Sequence, residues 1–256
     1  MPKFDDFSQL LDKNLNEQEY QNFLEQNTEF IPREFVQNHG IQFSLVLRKL
    51  SLAKDYISDF FYLSKSTTKW HCIFVELEKP SSRYFKDGTT ELHRDFVKAH
   101  QQVKLWQAWF QNPSNSQHFI DNTISILKTP LERNPCEFKY ILVLGRRDEY
   151  STIEKKRNII KAHEDLDFKI MSFDSLAEDI KRRQPLYVGV RKNDYIEIHS
   201  KKFVSENIFS WLHPDCIRIN EELRQDILRN KDKWCSYEKI SEPPLLETKL
   251  PKIKNF

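Results

Sequence analysis

Apolar positions along this chain switch between two spacings, and the switches mark out the elements. Residues 41–47, Ile41-Gln42-Phe43-Ser44-Leu45-Val46-Leu47, alternate with period two and predict a half-buried strand. Strands are also predicted over 56–63 and 70–78. In the second of these, the run Cys72-Ile73-Phe74-Val75 has no polar face, as expected of a central strand covered on both sides. Pro80 ends it, because proline cannot donate to a ladder. Upstream, Asn16 opens a helix over 17–27 with Tyr20, Phe23 and Leu24 on one face. Downstream, Leu92, Phe96, Ala99, Val103, Trp106 and Phe110 step by fours and threes, one apolar stripe on a long amphipathic helix. A shorter helix is expected around 119–127. A buried strand follows at 140–145, ending in Arg146-Arg147, then a helix (151–163), a short strand (168–173) and a helix (174–180) N-capped by Asp174. This order, α-β-β-β-α-(α)-β-α-β-α, predicts an α/β fold with a mixed central sheet flanked by helices.

The basic run Lys181-Arg182-Arg183 before Gln184-Pro185 reads as a boundary. Beyond it, 186–190 and 195–199 form a plausible hairpin and 221–229 a helix, which together make a small C-terminal α+β extension. The expected organisation is an N-terminal arm (1–15), a main domain (16–184), the extension (185–240) and an extended or disordered tail (241–256).

Composition removes several functions. The 256 residues carry 40 Lys+Arg against 38 Asp+Glu, net +2, so no tail-driven polyanion binder is expected and any basic surface is a local patch. Only four glycines are present, without GxGxxG or a P-loop, and no nucleotide cofactor is expected. Neither a basic, then apolar leader nor a membrane-length apolar run is found, which points to a cytoplasmic protein away from membranes. Cys72, Cys136, Cys216 and Cys235 lie far apart without metal-ligand spacing and read as free thiols.

Strand periodicity turns two of the strands into a chemical statement. In the second strand Asp59 shares a face with Ile57, Phe61 and Leu63, and in the third Glu76 and Glu78 share a face with Phe74. A carboxylate carried into a sheet core needs compensation, by lysine or arginine partners in a structural ion-pair network or by a divalent cation. Carboxylates converging from adjacent strands suit a hard cation such as Mg²⁺ or Mn²⁺. Periodicity leaves both open.

The run Ser58-Asp59-Phe60, then Phe74-Val75-Glu76-Leu77-Glu78-Lys79-Pro80, then a helix with Ala99, Gln102 and Trp106, resembles the Shedu-type anti-phage nuclease domain of the PD-(D/E)xK superfamily. The helix at 19–27, Leu144-Gly145-Arg146 and Ser172-Phe173-Asp174-Ser175-Leu176 occur in the same order in that family, so the resemblance covers about 17–183. It implies a restriction-endonuclease-like αβββαβ core and a homo-oligomeric, metal-dependent DNA endonuclease of bacterial anti-phage defence. Asp59 and Glu76 would hold Mg²⁺ (or Mn²⁺), with the Leu77 carbonyl as a further ligand and Glu19 or Glu17 completing the outer shell. Gln102 would face the same cleft. The chain departs from the superfamily pattern where lysine is expected two residues after the second acid: Glu78 stands there, and Lys79 comes one residue late. Glu78 as general base or second-metal ligand, a bulge returning Lys79 to the site, and a catalytically inactive module that binds nucleic acid or assembles with itself all stay open.

Arg146, Arg147, Lys155 and Lys156 are candidates for a phosphate-contacting rim, against the alternative of ordinary solvated surface. Trp106 and Trp109 are expected in the core, and His71, His93 and His100 at the surface.

Overall fold

The strands without a polar face are covered on both sides, and this sets the architecture. The computed structural model describes residues 2–52, 56–125, 127, 133–201, 216–229 and 252–253. Strands β1 (Leu45–Leu52), β2 (Tyr56–Lys65) and β3 (Trp70–Leu77) form an antiparallel meander. β4 (Cys136–Val143) joins β3 in parallel and β5 (Phe168–Met171) joins β4 in parallel. On the other side β6 (Tyr187–Arg191) pairs parallel with β1, and β7 (Ile196–Ile198), β8 (Ile217–Ile219) and the short β9 (Lys252–Ile253) extend the sheet. The result is one mixed nine-stranded sheet in the order β5-β4-β3-β2-β1-β6-β7-β8-β9.

Two apolar layers flank it. On one face Phe61, Phe74 and Tyr140 meet helix α3 (Arg94–Gln111) through Phe96, Ala99, Val103, Trp106 and Phe110, the stripe expected from the sequence. Helices α4 (Pro113–Phe119), α5 (Asp148–Ser151) and α6 (Glu154–Ala162) follow α3 in the chain, and Phe119, Tyr150 and Ile160 join this layer. Phe74 stacks on Tyr140 at 5.7 Å between ring centres and lies 5.2 Å from Phe110. The other face packs against α1 (Pro2–Leu11) and α2 (Glu17–Gln26) through Phe7, Leu11, Tyr20 and Leu24, and against α7 (Phe173–Leu176) through Phe173 and Leu176. Helix α8 (Glu221–Arg229) lies in the C-terminal segment and returns Leu223 and Ile227 to the first layer. No helix among the described residues is long and apolar enough to cross a membrane.

The structure differs from the sequence expectation in several places. The first strand begins at Leu45, not Ile41: Phe43 and Ser44 have φ of 56° and 49°, so the alternating residues before Leu45 form a left-handed turn. That strand is also buried on both faces at Leu45, Val46 and Leu47. Asp174 is not an N-cap. Ser172 takes the cap position of α7, and the Asp174 carboxylate accepts from Arg146 Nε (3.0 Å) and the Arg147 N–H (2.6 Å). The segment before β6 does not interrupt the sheet, since Tyr187, Val188 and Gly189 pair with Leu45, Val46 and Leu47. The N-terminal segment contributes α1 to the second layer, and most of the expected tail, with Cys235, lies outside the described residues. Cys72 is buried, Cys136 and Cys216 are half-buried, and Trp106 is fully buried.

Gly145 ties the end of β4 to the end of β3. Its φ is +61°, its N–H donates to the Lys79 carbonyl (3.1 Å) and its carbonyl accepts from the Phe173 N–H (3.1 Å). A Cβ there would lie 2.6 Å from the Ser82 carbonyl oxygen and 2.8 Å from the Tyr84 ring. Gly145→Ala is expected to lower unfolding stability by about 2–4 kcal/mol, from left-handed strain plus overpacking, read by urea denaturation. A loss within experimental error would show that this junction does not need glycine.

Candidate functional site

The sheet's regularity breaks at one cross-strand position, and the acidic residues gather there. On β1, Leu45 and Leu47 face the α3 layer, but so do Leu50 and Leu52; on β2, Phe61 and Leu63 face it, and Tyr56 packs against it from the other parity. In a regular strand residues of opposite parity cannot share a face, so both strands change phase between these sets. Pairing is recorded at Arg48↔Phe60 and Leu50↔Ser58, which brackets Lys49 and Asp59. Lys49 absorbs the change with φ 46°, a left-handed conformation that is uncommon for a lysine in a strand.

The same break frees the end of β3. Backbone pairing between β2 and β3 runs only to Phe60↔Val75, and alternate residues of β3 turn their N–H groups to β4, as Glu78 does to Val143 (2.9 Å). Leu77 therefore presents its backbone to the β2 side, where no strand partner continues. The Asp59 carboxylate fills the gap: Oδ2 accepts from the Leu77 N–H at 2.7 Å, and Oδ1 accepts from the Lys49 ammonium. Asp59 is 3 % exposed.

Glu76 lies one register step from the last β2–β3 pair, opposite Asp59, and is 7 % exposed. Its Oε1 accepts from Gln102 Nε2 on α3 at 2.5 Å, the contact that places Gln102 in this cleft. Burial, followed by the charges of Asp59, Glu17 and Glu78, raises the Glu76 pKa well above the ordinary glutamate value, while Lys49 acts against the rise. Glu78 is pushed up to about 7, first by burial, then by Glu17, with Asp95 and Asp59 adding and Lys98 opposing. Glu17, in the first turn of α2, is raised by burial and by Asp59, against the pull of Lys49, Lys79 and Lys98. Lys49 is raised too: burial disfavours its charge, but the Asp59 hydrogen bond and the neighbouring carboxylates outweigh that.

Four carboxylates, those of Asp59, Glu76, Glu78 and Glu17, thus act on one another at the end of the β2–β3 pairing, with the Lys49 ammonium in contact with Asp59. Glu19 is not among them. It closes a capping box with Asn16, whose N–H donates to Glu19 Oε2 (3.2 Å) while the Glu19 N–H donates to Asn16 Oδ1 (3.1 Å). Lys79 reaches Glu17 electrostatically, and its carbonyl is pinned by the Ser82 and Gly145 N–H groups. The candidate rim is engaged within the fold. Arg146 pairs with Asp174 and Asp12, Arg147 with Glu178, and Lys156 donates to the Glu149 carbonyl (3.2 Å) and lies over the Phe85 ring; Lys155 is exposed on α6. The three histidines have structural places rather than open surface ones: His71 bonds the Phe35 carbonyl, His93 caps α3, and His100 packs on Phe96.

Lys49 and Glu17 carry more of the site than the motif suggested. A signal for Lys49 exists in Leu45-Val46-Leu47-Arg48-Lys49-Leu50-Ser51-Leu52, where two adjacent polar residues break the period of two. The capping box Asn16-Glu17-Gln18-Glu19 likewise announces that Glu19 is committed to the helix start.

The donor set fits a hard divalent cation in its chemistry: oxygen ligands, two of them on nearly buried residues, with the Glu76 and Glu78 pKa values raised first by burial and then by the neighbouring carboxylates. The ligands are not preassembled, since no group of three or more His, Cys, Asp or Glu side chains among the described residues is arranged to hold a metal ion. A family model described as Shedu protein SduA, C-terminal, matches residues 14–177, which include β1 to β5, α2, α3 and all four acids. No curated protein matches the chain.

Folded Glu78 keeps its proton up to about pH 7, whereas the unfolded side chain releases it near 4.5. Its contribution to stability is therefore complete below about pH 4.5 and lost as pH rises through about 7. Without divalent cations, Glu78→Gln should raise the melting temperature at pH 8 more than at pH 5. An equal shift at both pH values would contradict the assigned environment.

Proposed function

Because the chain belongs to the Shedu family, through its match to the C-terminal part of the protein SduA, we propose that it is a metal-dependent DNA endonuclease of anti-phage defence, with a core of the PD-(D/E)xK type. Family membership supports the defence role. The observation that carries the chemistry is the nearly buried Glu76 carboxylate facing Asp59 where the β2–β3 pairing ends. A carboxyl whose pKa is raised by burial and then by neighbouring acids is costly to keep as a packing solution, and a divalent cation would relieve that cost.

Asp59 and Glu76 are the residues that would hold Mg²⁺ or Mn²⁺, with Glu17 and Glu78 close by; the Leu77 carbonyl, on the β2 side of the strand, is a further donor. When bound, such an ion lowers the pKa of a water and offsets charge on the scissile phosphate. The chain's own residues do the rest. The Leu77 N–H fixes the Asp59 carboxylate, and Gln102 fixes that of Glu76. Glu78, with a pKa of about 7, is matched to accept the proton of the attacking water near neutral pH. Water adds to phosphorus, the bond from phosphorus to the leaving sugar oxygen breaks, and a proton returns to that oxygen.

A second reading is favoured by Lys49, which already neutralises one Asp59 oxygen: a domain that binds DNA without cutting it. The two separate cleanly. With plasmid and linear DNA in Mg²⁺ or Mn²⁺, the nuclease reading predicts cleavage abolished by chelator, and lowered about 10²-fold or more by Asp59→Ala or Glu76→Gln and by Glu78→Gln. Salt-sensitive DNA binding with no cleavage on either substrate would replace it with the binding module.

A further inference from the structure

Lys49 is the feature of this cleft that the family motif does not explain. It lies on β1, outside the paired acids of β2 and β3, and a left-handed backbone brings it there. That conformation brings the Cβ of an L-residue too close to its own carbonyl oxygen, a strain that glycine would avoid. The two-strand phase change is centred on this residue and Asp59, so the distortion and the contact belong together. The ammonium sits on the Asp59 oxygen not used by Leu77, so both oxygens of this carboxylate are engaged and a cation held by Asp59 would have to compete with one of these two donors. Its exit is open: the Lys49 side chain keeps 41 % of its surface in solvent, while that of Asp59 keeps 5 %. Lys79, by contrast, has its carbonyl held by the Ser82 and Gly145 N–H groups, and its charge acts on Glu17.

We propose that Lys49 is a resident cation of the site: it occupies Asp59 Oδ1 in the metal-free protein, is displaced from that oxygen when a divalent cation binds, and then offers its ammonium to the DNA phosphate. The proposal rests on the nuclease reading and adds a residue to it. Lys49 thereby takes the cationic role that Glu78 leaves vacant, from a neighbouring strand. Competition for one oxygen and assistance to the phosphate predict opposite effects of removing the charge, a signature that a purely structural lysine would not give.

The test uses the full chain and Mn²⁺ as probe, with free Mn²⁺ measured by electron paramagnetic resonance and cleavage measured on linear DNA. Lys49→Met removes the charge and keeps the stem. Lys49→Gly removes both and suits the left-handed backbone, so that one of the two reports even if the other misfolds. Both should bind Mn²⁺ roughly tenfold more tightly than wild type yet cut about a hundredfold more slowly, whereas Lys49→Arg should recover part of the cutting. Unchanged or weaker Mn²⁺ affinity, or unimpaired cutting, in the Lys49 variants would overturn the proposal while a wild type that binds and cuts upholds the nuclease reading. If wild type and variants all fail to bind Mn²⁺ and to cut, the nuclease reading falls and the proposal with it.

Discussion

One carboxylate does the work of a missing strand. Past Phe60↔Val75 the meander opens, and the Leu77 N–H would be an unsatisfied buried donor without the Asp59 side chain. That bond, charge-assisted and nearly buried, lets the β2–β3 pairing stop without the desolvation penalty of an orphaned amide. Glu76 and Glu78 stand beside this point, where Glu17 of α2 adds its charge and Gln102 of α3 donates to Glu76. The acids are therefore by-products of neither surface nor core. They stand where the sheet ends its pairing, held by groups whose own hydrogen bonds require them.

Charge is distributed accordingly. A net charge of +2 hides an acidic centre, and the balancing arginines are largely spent elsewhere, on Asp174, Asp12 and Glu178. The Arg146 and Arg147 contacts join the end of β4 to α7 and α1, so their first service is to hold the loop beside the cleft. Gly145, Lys79 and Ser82 form a second clasp at the same level through backbone bonds. Two independent fastenings of the strand ends suit a site whose like charges push apart.

Much of this was legible in the sequence because it followed from period. The apolar stripe of α3, the two-sided burial of β3 and the placement of Asp59 and Glu76 on inward faces need only alternation and helical spacing. Errors arose where the backbone leaves regular conformations. Phe43 and Ser44 imitate a strand by alternation while adopting positive φ, and Lys49 flips a face that periodicity assumes constant. Asp174 looked like a cap by position, but two donors from the β4 end claimed its oxygens. Glu19 and Glu17 are both polar positions on one helix; only the capping box separates their duties.

On the proposed reading Asp59 and Glu76 would hold a divalent cation, and Lys49 stands in for it in the metal-free protein. The most direct measurement is anomalous diffraction from crystals of the protein soaked in Mn²⁺. The account predicts a manganese peak between the Asp59 and Glu76 carboxylates, with the Lys49 ammonium moved off Asp59 Oδ1. A saturating soak with no peak there and Lys49 still bound to Asp59 would contradict it and leave the cleft as a buried ion-pair network.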